Sequence, residues 1–381
     1  MTPIYITCLH LNYGGVERMI VSLANAFANL GYSVHILCTY RLGKPAYNLD
    51  SSVKVVYLTD CVPNREAFQE AVRRKKVLSI FKQGIHAIRT LYQKRRTLIK
   101  VFKKITEGTI ISTRHEHSVL LSRFGNRGVL KIAQLHHDHG FQNKLVKDFQ
   151  TKYKSIDYLV LLTEQTCKEL QQILQEHNTH TKCVTIPNFI FPPEVEIPAQ
   201  KKKQVIAAGR LHPDKNFSCL LRIWETVIHA NGGTGWRLVI AGEGLLEQDL
   251  KNEAEHLGIA QSVDFTGPLP YDQLMQRMAE SYCYVLTSKQ ESFGLVLAES
   301  MSCGTPPIAF DVRVGPRAII SDGVDGYLIP PQQEKLFAEK LLFLLNHPQI
   351  CASLGQAAIQ NVERFYPESI LRLWAKILPN A

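Results

Sequence analysis

The chain has 381 residues, 45% hydrophobic and 20% charged, with a formal charge of +10; that length exceeds one ordinary core and predicts two domains. Its longest apolar runs fall short of the roughly 18 residues of a membrane span. The start, Met1-Thr2-Pro3-Ile4-Tyr5-Ile6, lacks the layout of a secretion signal. Nine scattered cysteines with no Cys-x-x-Cys pair exclude a disulfide framework and a zinc ribbon, and fit a reducing cytosol.

Residues 4–9 read as a short strand, Asn12-Tyr13-Gly14-Gly15 as a loop, and 16–30 as a helix with apolar residues at Val16, Ile20, Leu23, Ala24 and Phe27, ended by Gly31. A strand at 34–38 completes the opening βαβ of a parallel sheet. Gly14 and Gly15 let backbone approach a ligand where a helix start favours an anion. They fall short of Gly-x-Gly-x-x-Gly, so a dinucleotide site is not expected.

The charge is uneven: residues 71–106 hold twelve Lys or Arg and no Asp or Glu, which accounts for the whole excess. Apolar residues there fall at Val77, Phe81, Ile88, Leu91, Leu98, Phe102 and Ile105, and Leu78, Ile85, Tyr92 and Ile99 widen the stripe. A basic amphipathic helix over 73–104 suits an anionic membrane surface. The alternative packs the stripe into the domain core and leaves the cations solvated. Aromatics are not interleaved for base stacking, so nucleic acid is not the expected partner.

His115-Glu116-His117 is read as lining a cleft. Residues 131–140 form a strand that ends in His136, His137, Asp138 and His139. Neighbours on an extended tip point in different directions, and no distant Cys or His pair completes a ligand set. No metal site is expected; a strand-end histidine facing a sugar hydroxyl is.

Residues 191–203 carry Pro192, Pro193 and Pro198 and then three lysines, an extended linker. Beyond it strands and helices alternate again: a strand over 204–210, a helix over 216–229, a strand over 236–242, a helix over 245–257, a short strand at 262–265, a helix over 271–279 and strands at 281–286 and 307–310. The fold class is therefore α/β, with two Rossmann-like doubly wound sheets whose carboxyl edges face a cleft.

Two stretches of the second sheet carry chemistry. Glu291-Ser292-Phe293-Gly294-Leu295-Val296-Leu297-Ala298-Glu299 reads as a loop running into a helix, with two carboxylates eight residues apart. Amides of Phe293, Gly294 and Leu295 at the helix start suit a phosphate, and the flanking carboxylates suit hydroxyl groups. A phosphate between two polyols describes a nucleotide sugar. In Gly209-Arg210-Leu211-His212-Pro213-Asp214-Lys215, Arg210 ends a strand and Lys215 starts a helix. Two such cations neutralise a diphosphate without a metal.

Together these pieces resemble the retaining glycosyltransferases of family 4, which have the GT-B fold. The resemblance covers nearly the whole chain and is strongest over 204–330, through Gly209-Arg210, Lys215-Asn216, Ala241-Gly242-Glu243-Gly244, Phe265-Thr266-Gly267 and the paired glutamates; Gly14-Gly15-Val16-Glu17-Arg18 matches the family's amino-terminal glycine loop. It implies an acceptor domain over 1–190, a donor domain over 204–360, and a carboxyl-terminal helix over 361–381, with Trp374, that returns to the first domain. Arg210 and Lys215 would hold the donor diphosphate, with Gly14, Gly15 and Gly209 beside it. Glu291 would contact the donor sugar, Glu299 the ribose, and Gly267 would border the base. His136 would lie near the reacting sugar, with His137, His139 and His117 on the acceptor side. The resemblance further implies a metal-independent hexosyltransferase with no cofactor besides its nucleotide-sugar co-substrate, with UDP as the family-level nucleotide. It implies a lipid-linked or cell-envelope glycan acceptor and a cytoplasmic protein peripheral on the inner face of the membrane. A nucleotide-sugar epimerase, a soluble sucrose- or trehalose-type synthase and a basic nucleic-acid-binding protein are the competing readings.

Overall fold

The computed structural model describes residues 2–137, 140–230 and 235–380, so Asp138 and His139 lie outside the described residues. The chain divides into two compact units, 1–186 with 371–381, and 187–370.

In the first unit the strands are β1 (Pro3–Cys8), β2 (Ser33–Tyr40), β3 (Lys54–Thr59), β4 (Thr109–Ser112), β5 (Leu130–Gln134), β6 (Tyr158–Leu161) and β7 (Lys182–Thr185). They form one parallel sheet in the order β3-β2-β1-β4-β5-β6-β7. Helices α1 (Gly15–Asn29), α2 (Arg65–Arg73), α3 (Val77–Lys104), α4 (His115–Phe124), α5 (Asn143–Lys152) and α6 (Glu164–Leu174) connect them. A parallel sheet buried on both faces needs near-continuous apolar strands; Ile4, Ile6, Ile36, Ile110, Ile111, Ile132 and Leu159 are all fully buried. The order steps outward from β1 to β3 and then returns to β4, so β1 and β4 flank the topological switch point, where α/β sheets bind ligands.

Helix α3 divides the two readings of the basic segment between its halves. Towards its carboxyl end Leu98 and Phe102 are fully buried in the core with Ile110, Leu121 and Phe149. Towards its amino end Val77, Leu78, Phe81, Ile85, Ile88, Leu91 and Tyr92 are exposed, Leu78 by 88% and Phe81 by 70%. The stripe is continuous in sequence, but only its second half has the core to pack against.

The first unit closes with its carboxyl-terminal segment. Trp374 is buried and meets Phe27 edge-on at 5.5 Å, and Tyr32 Oη donates to the Pro379 carbonyl at 2.8 Å.

The second unit has β8 (Gln204–Ala208), β9 (Arg237–Ala241), β10 (Val263–Gly267), β11 (Cys283–Leu286), β12 (Pro307–Phe310) and β13 (Tyr327–Ile329). They form a parallel sheet in the order β10-β9-β8-β11-β12-β13. Its helices are α7 (Phe217–Ala230), α8 (Glu247–His256), α9 (Tyr271–Glu280), α10 (Leu295–Ser302), α11 (Gly315–Ile319), α12 (Glu334–Asn346), α13 (Pro348–Val362) and α14 (Pro367–Ala375), whose last residues belong to the first unit. Its switch point lies between β8 and β11. The unit begins at 187, ahead of the stretch read as a linker, because those residues bond inward. The Ile190 amide donates to the Phe365 carbonyl at 3.0 Å, and Lys201 Nζ donates to Thr305 Oγ1 at 2.7 Å.

Candidate active site

At the switch point of the second unit, the loops that leave β8 and β11 are sewn together. Thr287 Oγ1 donates to the carbonyls of Lys215 at 3.3 Å and Asn216 at 3.2 Å, and the Lys289 amide donates to the Asp214 carbonyl at 2.8 Å. Across this seam Lys215 Nζ forms an ion pair with Glu291 Oε1, which also accepts from Ser288 Oγ at 2.8 Å. Arg210 lies just past the end of β8 on the same edge. It is exposed and has no ion-pair partner among the described residues.

The glycines beside this edge answer steric demands. A Cβ on Gly242 would come within 2.0 Å of the Gly209 carbonyl oxygen, and one on Gly244 within 2.3 Å of that of Leu211. Their absence lets the β8 and β9 ends bond to each other, Gly209 amide to Ala241 carbonyl and Leu211 amide to Glu243 carbonyl, both at 2.9 Å. Gly267 closes the row: it adopts a left-handed φ of 70° and accepts from the Gly242 amide at 2.9 Å.

Gly294 is the amino cap of α10, with φ 92° and ψ 56°, and its conformation turns the loop into the helix. Phe293 is buried and packs edge-on against Phe365 at 5.4 Å, so only its backbone is left for a ligand. Leu295 is half-buried at the first turn. Glu299, in the helix body, is only 1% exposed.

Tyr284 was not singled out from sequence. Fully buried on β11, its hydroxyl donates to the Ala208 carbonyl at 3.1 Å and accepts from the Ala208 amide at 3.2 Å. It braces the strand end that carries Gly209 and Arg210. Burial pushes its hydroxyl pKa well up, and the charges of Glu291 and Glu299 push it further.

In the first unit the predicted residues gather at the β1/β4 switch point. Gly14 caps α1; its amide donates to Tyr47 Oη and its carbonyl accepts from the same hydroxyl, both at 3.2 Å. A Cβ on Gly15 would meet nothing within 4 Å. His117, on α4, is fully buried with Nδ1 at 2.9 Å from Thr7 Oγ1. His136, just past β5, is buried with both ring nitrogens unpartnered among the described residues, whereas His137 is exposed. Burial pushes both buried imidazoles down to about 3, so each is uncharged at neutral pH. Beside them lies a pair that sequence reasoning missed: Arg114 Nη2 is 3.0 Å from Glu17 Oε1. Glu17 entered the sequence reading only as a letter of the glycine-loop motif. Among the described residues no group of three or more His, Cys, Asp or Glu is placed to hold a metal.

With this geometry in hand, comparison with known proteins decides the family. The model of Glycosyltransferase Family 4 matches residues 13–192, and that of Glycosyl transferases group 1 matches 192–361. The chain belongs to glycosyltransferase family 4. Over 96% of its length it is 26% identical to the amylovoran biosynthesis glycosyltransferase AmsD of Erwinia amylovora, covering 96% of that protein. It is 25% identical, again over 96% of its length, to an exopolysaccharide phosphotransferase of Streptomyces coelicolor, of which it spans only 39%. Its fold matches a point variant of S. aureus TarM, solved with fondaparinux, α-GlcNAc-glycerol and UDP, at a TM-score of 0.77 and 17% identity over 99% of both chains. The two parallel-sheet units are thus those of a GT-B glycosyltransferase. Among its described residues no helix is long and apolar enough to cross a membrane.

Proposed function

We propose that this glycosyltransferase moves a sugar from a UDP-sugar to a cell-envelope or lipid-linked glycan, with retention of anomeric configuration and without a metal. The observation that carries the reading is the Lys215–Glu291 ion pair at the β8/β11 switch point, with Arg210 on the same edge. An ammonium has three donors, so Lys215 can hold Glu291 and a phosphate oxygen together. Glu291 keeps Oε2 for a hydroxyl of the donor sugar, because its bonds to Lys215 and Ser288 both go to Oε1. Arg210 and Lys215 stabilise charge as it develops on the departing diphosphate, an electrostatic role, and the backbone of Phe293, Gly294 and Leu295 holds the phosphate and sugar. A diphosphate oxygen takes the acceptor's proton as the glycosidic bond forms. Glu299 is assigned to the ribose, Gly267 to the border of the base, Gly14 and Gly15 to donor binding, and His136 to the reacting sugar as a neutral imidazole. UDP is favoured because it is bound in the TarM structure. An envelope glycan is favoured because one relative is named for an exopolysaccharide and the other for amylovoran biosynthesis. The expected result is UDP-sugar hydrolysis or transfer that proceeds unchanged in EDTA and gives a product with the donor's anomeric configuration. Inversion, or loss of turnover on chelation, would overturn the mechanism.

The same reading places the enzyme on the inner face of the membrane through α3. Its exposed apolar residues are bracketed by Arg73, Arg74, Lys75 and Lys76 at one end and by Arg95, Arg96, Lys100 and Lys103 at the other. An apolar stripe with basic flanks suits the headgroup boundary of an anionic bilayer. Replacing Phe81, Ile85 and Ile88 together by serine, or reversing the charges of 73–76, is expected to weaken sedimentation with phosphatidylglycerol vesicles at least about tenfold. Equal sedimentation of wild type and both variants would remove the membrane from the account.

A further inference from the structure

The switch point of the first unit holds an arginine whose surroundings are incomplete. Thr113 Oγ1 donates to the Thr7 carbonyl at 2.6 Å, which ties the ends of β1 and β4 together, and Arg114 follows as the first residue beyond. One edge of its guanidinium is committed to Glu17 at 3.0 Å. Glu17 is in turn seated by the glycine loop: a Cβ on residue 14 would come within 2.1 Å of Glu17 Oε2. Gly14 therefore clears the space in which Glu17 anchors Arg114. The Nε of Arg114 is buried and has no partner among the described residues.

Three more buried nitrogens nearby share that state. His117 Nε2 and both ring nitrogens of His136 are unpartnered among the described residues. Burial keeps both imidazoles neutral, and the Arg114 charge acts in the same direction. Folded proteins leave few buried polar atoms unpaired, and here four fall on three residues around one switch point. An oxyanion would satisfy the donors of this set, the Arg114 Nε–H above all. A guanidinium edge matches phosphate geometry, and a neutral imidazole can donate one N–H to it.

We propose that Arg114, positioned by Glu17, is a phosphate-binding residue of the first unit that recognises a phosphate of one of the two substrates. Only the word substrate rests on the transferase reading; the binding site stands on the first unit alone. The phosphate comes from the donor diphosphate or from a phosphorylated acceptor, and the two sources separate by experiment.

The test uses the full chain with Arg210→Ala and Lys215→Ala, which removes the two cations proposed to hold the donor diphosphate. Inorganic phosphate is titrated while the Nε–H signals of 15N-labelled arginine are followed. The Arg114 signal, identified by its loss in Arg114→Gln, is expected to shift on titration. Apparent phosphate affinity is expected to fall about tenfold in Arg114→Gln and less in Arg114→Lys, which keeps the charge but not the fork. Thermal melting of each variant checks that it folds, and Arg114→Lys, which also removes the Arg114 Nε–H, identifies the signal should Arg114→Gln not fold. UDP titration of Arg114→Gln, made in the otherwise wild-type chain, then assigns the source. A tenfold loss of UDP affinity marks the donor, and unchanged UDP affinity alongside lost phosphate binding marks the acceptor. No arginine signal moving with phosphate, or equal phosphate affinity in the folded Arg114→Gln variant, overturns the proposal. Either result leaves the assignment of Lys215 and Glu291 untouched.

Discussion

Glu291→Ala is expected to lower transferase turnover at saturating donor by on the order of 100-fold or more while leaving the fold intact. The side chain holds two partners on one oxygen, Lys215 Nζ and Ser288 Oγ at 2.8 Å. Its backbone carbonyl separately accepts from the Gly315 amide at 3.1 Å, and that bond survives truncation. The structural loss is therefore one partly solvated ion pair and one hydroxyl bond, together about 1–2 kcal/mol. The functional loss is larger because Lys215 loses the group that holds it at the strand edge and, in the proposed mechanism, a donor-sugar hydroxyl loses the carboxylate it donates to. Glu291→Gln separates the two roles: it keeps hydrogen-bonding capacity without charge, so its turnover should fall between wild type and alanine. Initial rates at saturating donor, with thermal melts of all three proteins, decide the matter. Wild-type turnover in Glu291→Ala would remove this carboxylate from the reaction.

Much of the architecture was legible because parallel strands buried on both faces appear as unbroken apolar runs between turn signals. The first strand was read over 4–9 and spans Pro3–Cys8; the strand read over 204–210 spans Gln204–Ala208. That two-residue difference matters, since it places Arg210 in the loop beyond the strand. The four-residue strands Thr109–Ser112 and Tyr158–Leu161 are not among the strands predicted from the sequence. With them went the sheet order, and hence the knowledge that β1 and β4 are neighbours. Arg114 and Glu17 lie 97 residues apart and meet only because of that order, so no local pattern announced them. Tyr284 was hidden differently: it looks like one more apolar residue of a buried strand until its hydroxyl is seen gripping Ala208. For α3 the spacing disclosed an amphipathic helix but not where its cover ends, because burial there depends on how far the core extends rather than on the helix itself.

Arg210→Ala and Lys215→Ala are expected to differ in kind although both cations are proposed to hold the donor diphosphate. Arg210 is exposed and unpaired among the described residues, so its loss should leave the melting temperature unchanged and weaken UDP binding about 10–100-fold, the range of a lost charge-assisted bond. Lys215 also secures Glu291, so Lys215→Ala should reduce turnover as well as affinity, in the manner of Glu291→Ala. Because both act on one ligand, the double variant should lose less than the product of the two single losses. Arg210→Lys should recover only part of the affinity, since a point charge replaces a two-pronged donor. Calorimetric titration with UDP across wild type and the four variants reads the affinities, initial rates read the turnover, and thermal melts read the stability. The decisive case is Arg210→Ala: if it binds UDP as wild type does, the diphosphate does not lie at the end of β8, and a donor site centred on the Lys215–Glu291 pair loses its second cation.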